Sequence, residues 1–346
     1  MRSSNRILTT AFDRMYLRLS KEKTCGKLLD RDLFDGQEFT IDKFYEEHSQ
    51  YFNKPWDFYS DYTSNGAIRL RNGVHASEKQ PVTPLAQMMV FDSPIETDWK
   101  ETNLAPFKWY TTKDRRCRTI LLFAPGWGRN NQRVEEKMAL RLFKKHGVDV
   151  GLLTVPYQQA RTPKGARTGE YFISANIFWT IANFRHLVAE MRQLVQYMRN
   201  YYDHVGLIGM SSGGFQTVLA SNCDDVDFLF PIITGCDLGG ITWNGAITQA
   251  LRRDLERKGI DQEQLRKAWS ITDQLLLGQH CKARYRKQFI SLYDTVVPPE
   301  YQFKLWDVLG RPDKFELECG HHSTVFFTSK VVDQIGAFVN KCVANR

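Results

Sequence analysis

The sequence predicts an α/β fold in which helices cover both faces of a mostly parallel central sheet. From residue 86 onward, short apolar runs alternate with amphipathic stretches of helical period. The apolar runs, such as 119–123 and 205–210, are nearly continuous, which is typical of strands buried on both faces. Strand–helix alternation of this kind favours a parallel sheet over a sandwich.

The strands and helices follow one another regularly along the chain. Predicted strands are 88–91, 107–112, 119–123, 148–156, 205–210, 226–235, 288–293 and 314–318. A first helix is predicted at 41–52, and Gly147 is placed to end a second helix that begins near Val134. Apolar residues at steps of three and four predict three more helices: Ile177 to Met198, a helix after Ser212, and a last one with Val331, Ile335 and Phe338 on one face.

Three regions are expected along the chain. Residues 1–85 form an N-terminal extension packed on the core, and residues 86–346 form the main domain. A helical insertion at about 237–285 interrupts the alternation, with ten Lys or Arg against five Asp or Glu between 251 and 287. It would lie over the carboxyl ends of the strands, as a lid or as an embellishment with a solvated charged face.

Composition narrows the function classes. With 346 residues and 42% hydrophobic content the chain can bury a large core, and no run reaches the roughly 18 apolar residues of a membrane helix. The net charge of +8 fits a generic basic surface, and no nucleic-acid motif accompanies it. Seven scattered cysteines indicate reduced thiols in a cytoplasmic protein and no metal site, while Asp13 and Glu22 count against a targeting presequence.

The segment 209–213, Gly-Met-Ser-Ser-Gly, fits the G-x-S-x-G pattern of a nucleophile on a strained strand-to-helix turn. Small residues are needed on both sides because larger ones would collide with the adjoining strand and helix. Ser211 is therefore the candidate nucleophile, and the pattern gains weight from the strand before it and the helix after it. The alternative is an ordinary glycine-rich turn.

A serine needs a base and an acid that orients the base. His321 follows Gly320 after a strand and is the predicted base, with His322 as the alternative. Asp294, at the end of the preceding strand, is the predicted acid, with Asp237 as the alternative. Loop or helix-capping roles are the structural alternatives for these side chains. The backbone amides of Trp127 and Ser212 are the predicted oxyanion donors, the alternative for Trp127 being a packing or exposed residue.

With these residues in place, the sequence resembles the α/β-hydrolase superfamily from about Pro106 to the C-terminus. Residues 155–174 are similar to a stretch of a mostly bacterial, poorly characterised subgroup, with Pro156-Tyr157, Arg161, Pro163 and Gly169. Gln158 and Gln159 stand where that subgroup often has His-Gly. The resemblance implies an α/β-hydrolase fold and a serine hydrolase without metal or organic cofactor.

We expect a carboxylic-ester hydrolase working through Ser211, His321 and Asp294 and an acyl-enzyme intermediate. Its partner would be a small-molecule acyl ester, with an anionic or lipid ester as one version suggested by the basic insertion; neither nucleic acid nor an integral membrane segment is expected. The alternatives are an acyltransferase, a thioesterase or a peptidase on the same triad, or a non-catalytic binding protein of this fold.

Overall fold

The computed structural model describes residues 2–19, 40–59, 68, 71–72, 86–111 and 118–345. The remainder of the expected N-terminal extension, and Thr112 at the end of a predicted strand, lie outside this described part. Within it, strands pair into one nine-stranded sheet. The strands are β1 (Arg71–Asn72), β2 (Ala86–Asp92), β3 (Leu104–Tyr110), β4 (Thr119–Ala124), β5 (Asp149–Leu153), β6 (His204–Met210), β7 (Phe228–Ile232), β8 (Tyr285–Ser291) and β9 (Asp313–Leu317).

The sheet is mostly parallel, as the sequence predicts. Its spatial order is β1-β2-β3-β5-β4-β6-β7-β8-β9. Neighbouring strands from β5 to β9 run parallel, whereas β1, β2, β3 and β5 pair antiparallel. Because parallel strands all end at one edge, the segments that follow β4, β6, β8 and β9 come together there.

Twelve α-helices surround the sheet in the described chain. The alternation of apolar runs and amphipathic stretches in the sequence therefore corresponds to alternating strands and helices in the structure. The helices are α1 (Arg2–Leu19), α2 (Ile41–His48), α3 (Pro55–Phe58), α4 (Arg133–His146), α5 (Ile177–Met198), α6 (Ser212–Cys223), α7 (Leu238–Asn244), α8 (Gln249–Arg257), α9 (Gln262–Trp269), α10 (Gln274–Leu277), α11 (Pro299–Val308) and α12 (Thr328–Ala344).

The two faces of the sheet carry separate hydrophobic cores. Alternate residues of β4 divide between them: Leu122 packs in the core that includes residues of α5 and α6, and Leu121 packs in the core that includes residues of α4 and α12. Every residue of β4 and β6 is buried. This two-sided burial explains why the strands read as unbroken apolar runs.

Two helices of the N-terminal region, α1 and α2, pack on other parts of the fold. α2 continues into a 3-10 turn at Ser49–Tyr51, which matches the predicted helix at 41–52, and its Phe44 is buried in the core. α1, which the sequence analysis missed, packs against a 3-10 segment at His322–Phe327. The segment between β7 and β8, in which the sequence analysis expects an insertion at about 237–285, contains the helices α7 to α10.

Candidate active site

Ser211 lies on a sharp turn between β6 and α6. Its backbone has φ 53° and ψ −121°, a conformation that strains any residue other than glycine by about 1–3 kcal/mol. The turn is fixed on both sides, because the Ser211 amide donates to the carbonyl of Ile232 at 2.8 Å and the Gly214 amide donates to the carbonyl of Ser211 at 2.9 Å. The strain points the hydroxyl out of the strand end rather than along it.

The glycines on either side of this turn are required by close packing. A Cβ atom on Gly209 would lie 2.2 Å from Oγ1 of Thr217, and one on Gly213 would lie 2.2 Å from the carbonyl oxygen of Ala124. Both contacts are far inside van der Waals distance. The two flanking positions of the predicted G-x-S-x-G pattern are therefore sterically limited to glycine in this fold.

His321 lies beside Ser211 on the segment after β9. The Ser211 hydroxyl is 2.9 Å from Nε2 of His321, and Nδ1 of the same ring is 2.7 Å from Oδ2 of Asp294. Because a carboxylate accepts hydrogen bonds, the proton of the ring resides on Nδ1, which leaves Nε2 to accept the hydroxyl proton. The three side chains form one hydrogen-bonded chain.

Asp294 is held firmly in the turn after β8. Its side chain is fully buried, and Oδ1 accepts the backbone N–H groups of Val296 and Val297 at 2.8 and 2.9 Å. Gln302 also donates its Nε2 to Oδ2 at 3.2 Å. These bonds fix the carboxylate and so fix the orientation of the imidazole that it binds.

The two alternative residues of the sequence analysis lie elsewhere. The His322 ring stacks on Tyr16, with centroids 4.0 Å apart. Asp237 caps α7 and binds the guanidinium of Arg266 at 2.8 and 2.9 Å and the ammonium of Lys304 at 3.2 Å. Burial alone would raise the pKa of Asp237, but these donors outweigh burial and lower that pKa. Asp237 therefore anchors the insertion through Arg266, and its carboxylate is already paired there rather than with His321.

The loop after β4 lies directly against the nucleophile. A Cβ atom on Gly126 would come within 3.4 Å of Cβ of Ser211 and 3.8 Å of its Oγ. This is the loop that carries Trp127, and it begins at the carboxyl end of the strand next to β6. The Trp127 indole donates to the carbonyl of Gly169 at 2.7 Å, and Trp127 lines the cavity beside Ser211.

Residues 155–169, part of the stretch 155–174 on which the sequence resemblance rests, brace that loop. Gly169 has φ 76°, and a Cβ atom there would lie 2.8 Å from Cα of Gly128. Gln158 accepts the backbone N–H of Arg129 at 3.2 Å, and the side chain of Gln159 donates to the Arg129 carbonyl at 3.3 Å. The two glutamines that depart from the subgroup pattern thus hold the loop beside Ser211.

Arg161 of the same stretch belongs to a buried polar cluster that sequence reasoning missed. Its guanidinium binds both carboxylate oxygens of Glu190 at 2.5 and 2.8 Å, and His186 and Ser93 also bond to Glu190. Burial disfavours the charged carboxylate, but Arg161 and His186 outweigh it and lower the pKa of Glu190 to about 2. The cluster ties residues 155–169 to α5. The signal in the sequence was the presence of His and Glu on the buried face of a long helix.

A cavity of about 880 Å³ opens at Ser211 and His321. The insertion supplies part of its wall through α7 and α8, and partly exposed Arg129 and Arg167 also line it. Its apolar lining includes Ile173, Phe184, Phe215, Leu238, Ile241, Ile247, Leu251, Trp269, Val296 and Val297. The cavity is therefore mainly apolar near the insertion, with polar and charged groups at exposed positions.

Two further kinds of site, metal centres and membrane-spanning helices, were considered from the side chains and helices of the described residues. They contain no group of three or more His, Cys, Asp or Glu side chains placed to hold a metal ion. None of the helices among them is both long and apolar enough to cross a membrane.

Known proteins resemble this chain weakly in sequence and more extensively in structure. No family model matches the chain. An uncharacterized protein, YdjC of Bacillus subtilis (strain 168), is 25% identical over 103 residues, which are 29% of this chain and 85% of that protein.

Among solved structures, an acetyl xylan esterase from Paenibacillus sp. R4 has a TM-score of 0.57 at 15% identity and covers 88% of this chain and 98% of its own. Acetyl xylan esterase 1 from Thermoanaerobacterium sp. JW/SL YS485 gives 0.57 at 17% identity, covering 85% and 99%. A puromycin-hydrolyzing peptidase of Mycobacterium tuberculosis gives 0.54 at 11% identity, covering 74% of this chain and 44% of its own. With the sheet order and the strand-to-helix turn at Ser211, these similarities show that the chain has the α/β-hydrolase fold.

Proposed function

We propose that this protein is a serine hydrolase that cleaves a carboxylic ester through an acyl-enzyme intermediate. The observation that carries the proposal is the hydrogen-bonded chain from Ser211 through His321 to Asp294, with distances of 2.9 and 2.7 Å. A nucleophile, a base within reach of it, and an acid that fixes the base are the parts that acyl transfer needs. Solved structures of the same fold include esterases, which supports this reaction class.

In the first half of the reaction, Oγ of Ser211 attacks the ester carbonyl carbon and its proton passes to Nε2 of His321. The tetrahedral intermediate then collapses, the bond to the alcohol oxygen breaks, and His321 returns the proton to the departing alcohol. In the second half, His321 takes a proton from water, and the resulting hydroxide attacks the acyl-enzyme. The acid leaves, and the proton returns to Ser211. Asp294 stabilises the imidazolium that forms in each half.

The negative oxygen of the tetrahedral intermediate requires donors that are already in place. We assign this role to the backbone N–H groups of Trp127 and Ser212. Ser212 begins α6, so its amide is one of the helix N–H groups that lack an intrahelical acceptor. The close approach of Gly126 to Ser211 supports the assignment of the neighbouring Trp127. Removing one such donor typically costs about 10²–10³-fold in kcat.

The cavity supports an ester with a sizeable apolar acyl group. An apolar wall supplied by the insertion favours a hydrocarbon chain, since burial stabilises each CH₂ by about 0.8 kcal/mol. Arg129 and Arg167 also line the cavity, but they lie 3.3 and 3.8 Å from the carboxylates of Glu135 and Glu170, which offset their charge. The anionic or lipid version of the proposal therefore depends on the excess of Lys and Arg in the insertion. At low salt, hydrolysis should then be faster on anionic than on neutral vesicles; equal rates would remove that version.

Labelling with a fluorophosphonate probe tests the proposal directly. Wild-type protein should be labelled at Ser211, and Ser211→Ala should lose both labelling and hydrolysis of p-nitrophenyl esters. Ser221→Ala is a matched control, because Ser221 is a buried serine on α6, the helix that begins directly after Ser211. Its hydroxyl donates to the carbonyl of Val218 at 2.7 Å, and it is outside the cavity lining. A folded wild-type protein that neither labels nor hydrolyses esters would contradict the proposal and favour a non-catalytic binding protein.

A further inference from the structure

α1 covers the segment that carries the histidine of the proposed triad. The ring of Phe12 packs on Phe326 with centroids 4.8 Å apart, and Tyr16 stacks on His322 at 4.0 Å. Tyr16 also lines the cavity, together with Leu17. The first helix of the chain thus reaches a site that is otherwise built from residues beyond 120.

Asp13 is the residue of α1 that enters this segment. It is 3% exposed, and its Oδ1 accepts the backbone N–H of Ser323 at 2.7 Å. Its Oδ2 has no hydrogen-bond partner among the described residues and lies against Gly320, where an added Cβ atom would be 1.7 Å away. The carboxyl group therefore touches the residues on both sides of the pair His321–His322.

Those two contact points are linked to each other. The Gly320 amide donates to Oγ of Ser323 at 2.9 Å, and Oγ1 of Thr324 donates to the Gly320 carbonyl at 2.9 Å. The loop from 320 to 324 is thus held together by its own hydrogen bonds and is in contact with the Asp13 carboxyl group at Gly320 and Ser323. Moving that carboxyl would move the backbone on both sides of His321.

Burial removes the carboxyl group of Asp13 from water, and the one backbone hydrogen bond that it accepts does not compensate for this loss of solvation. Burial raises the pKa of Asp13 and outweighs the hydrogen bonding with Ser323, which lowers it; the negative charge of Asp294 adds to the rise. A buried carboxyl group with one oxygen that lacks a hydrogen-bond partner is destabilising by itself. A buried polar group of this kind calls for a structural explanation, and the contacts of Asp13 with Ser323 and Gly320 offer one.

We propose that Asp13 is a positioning residue that holds the loop of His321, so that the imidazole keeps its contact with Ser211. This inference rests on the proposed function. Asp13 acts through the Ser323 amide and Gly320 and has no contact with substrate.

Three variants test it with a p-nitrophenyl ester. Asp13→Ala should lower kcat roughly 10- to 100-fold with little change in KM, because small misplacements of a catalytic group have effects of that size. Asp13→Asn should restore most of kcat, since its amide oxygen can still accept the Ser323 N–H. Phe12→Ala is the matched control: it loosens the same helix but leaves the carboxyl in place, so kcat should stay near wild type.

Wild-type kcat in folded Asp13→Ala would overturn the inference, as would equal losses in Asp13→Ala and Phe12→Ala or no recovery in Asp13→Asn. If Asp13→Ala does not fold, Asp13→Ser, whose side chain is too short to reach Ser323, replaces it. Proton NMR of the Nδ1–H of His321 separates this inference from the proposed function. Even if the wild type hydrolyses no ester, the Nδ1–H signal should broaden in Asp13→Ala and should have its wild-type width again in Asp13→Asn. A signal that is unchanged in Asp13→Ala would contradict the inference.

Discussion

Asp294 and His321 are 27 residues apart in sequence, yet Oδ2 of one lies 2.7 Å from Nδ1 of the other. The contact exists because β8 and β9 are parallel neighbours whose carboxyl ends lie at the same edge of the sheet. It holds the imidazole in the tautomer that can accept a proton from Ser211.

Asp294→Asn should therefore lower kcat on the order of 10³- to 10⁴-fold. An amide at this position favours the wrong tautomer of His321, and it carries no negative charge to stabilise the imidazolium. KM should change little. Steady-state kinetics on a p-nitrophenyl ester measures both constants. Asp307→Asn, at an exposed position paired with Arg311, is the control and should behave as wild type. Full activity in folded Asp294→Asn would assign the acid to another residue.

Gly169→Ala should lower kcat about 10- to 100-fold by pushing the loop of Trp127 away from Ser211. Gly165→Ala is a matched control on the same stretch: its φ of 81° is similar, but a Cβ atom there meets nothing within 4 Å. Both variants should lose about 1–2 kcal/mol of stability from the positive φ. Only Gly169→Ala should lose activity, and equal kcat in the two variants would contradict the role given to Gly169.

Ile247→Trp should shift the acyl-chain preference toward short esters. Ile247 is partly exposed and lines the cavity, so a larger ring there reduces the room for a long chain without repacking the core. The ratio of kcat/KM for p-nitrophenyl decanoate to that for the acetate should fall. Leu275→Trp, on an exposed position of α10 outside the cavity lining, should leave the ratio unchanged. A ratio that falls equally in both variants would place the acyl group elsewhere.

Glu190→Gln should destabilise the protein by about 3–5 kcal/mol at pH 7, because it leaves Arg161 buried without its charge partner. The pKa of Glu190 is about 2 in the folded protein against a usual value of 4.5. A lowered pKa means that the carboxylate stabilises the fold above about pH 4.5 and that this contribution is lost as the pH falls toward 2.

The gap in unfolding free energy between wild type and Glu190→Gln should consequently narrow below pH 4.5. Urea denaturation at pH 7, 5 and 4 measures it. A gap that widens on acidification would mean that the Glu190 carboxylate does not carry the charge assigned to it.

Sequence patterns located the strands and the three triad candidates because each signal is local. Ser211, Asp294 and His321 each follow an apolar run, and parallel strands bring such positions together without any need to know side-chain contacts. The sequence analysis preferred Asp294 to Asp237 as the acid. The contacts of Asp237 with Arg266 and Lys304, 29 and 67 residues away, have no local signal in the sequence.

The sequence analysis could not find Asp13 or Glu190, and the reason is the same for both. Their partners, Ser323 and Arg161, lie 310 and 29 residues away, and no periodicity encodes such a pairing. Asp13 entered the sequence analysis only as a charge that argues against a presequence. α1 has no apolar run or glycine that would have connected it to the far end of the chain.

The positive φ angle at Ser211 lowers the stability of the fold at the position that supplies the reactive hydroxyl. A glycine there would relieve the torsional strain, so Ser211→Gly should melt at a higher temperature than the wild type while being chemically inert. This one substitution would thus raise the thermal stability of the protein and remove the hydroxyl that the proposed reaction needs.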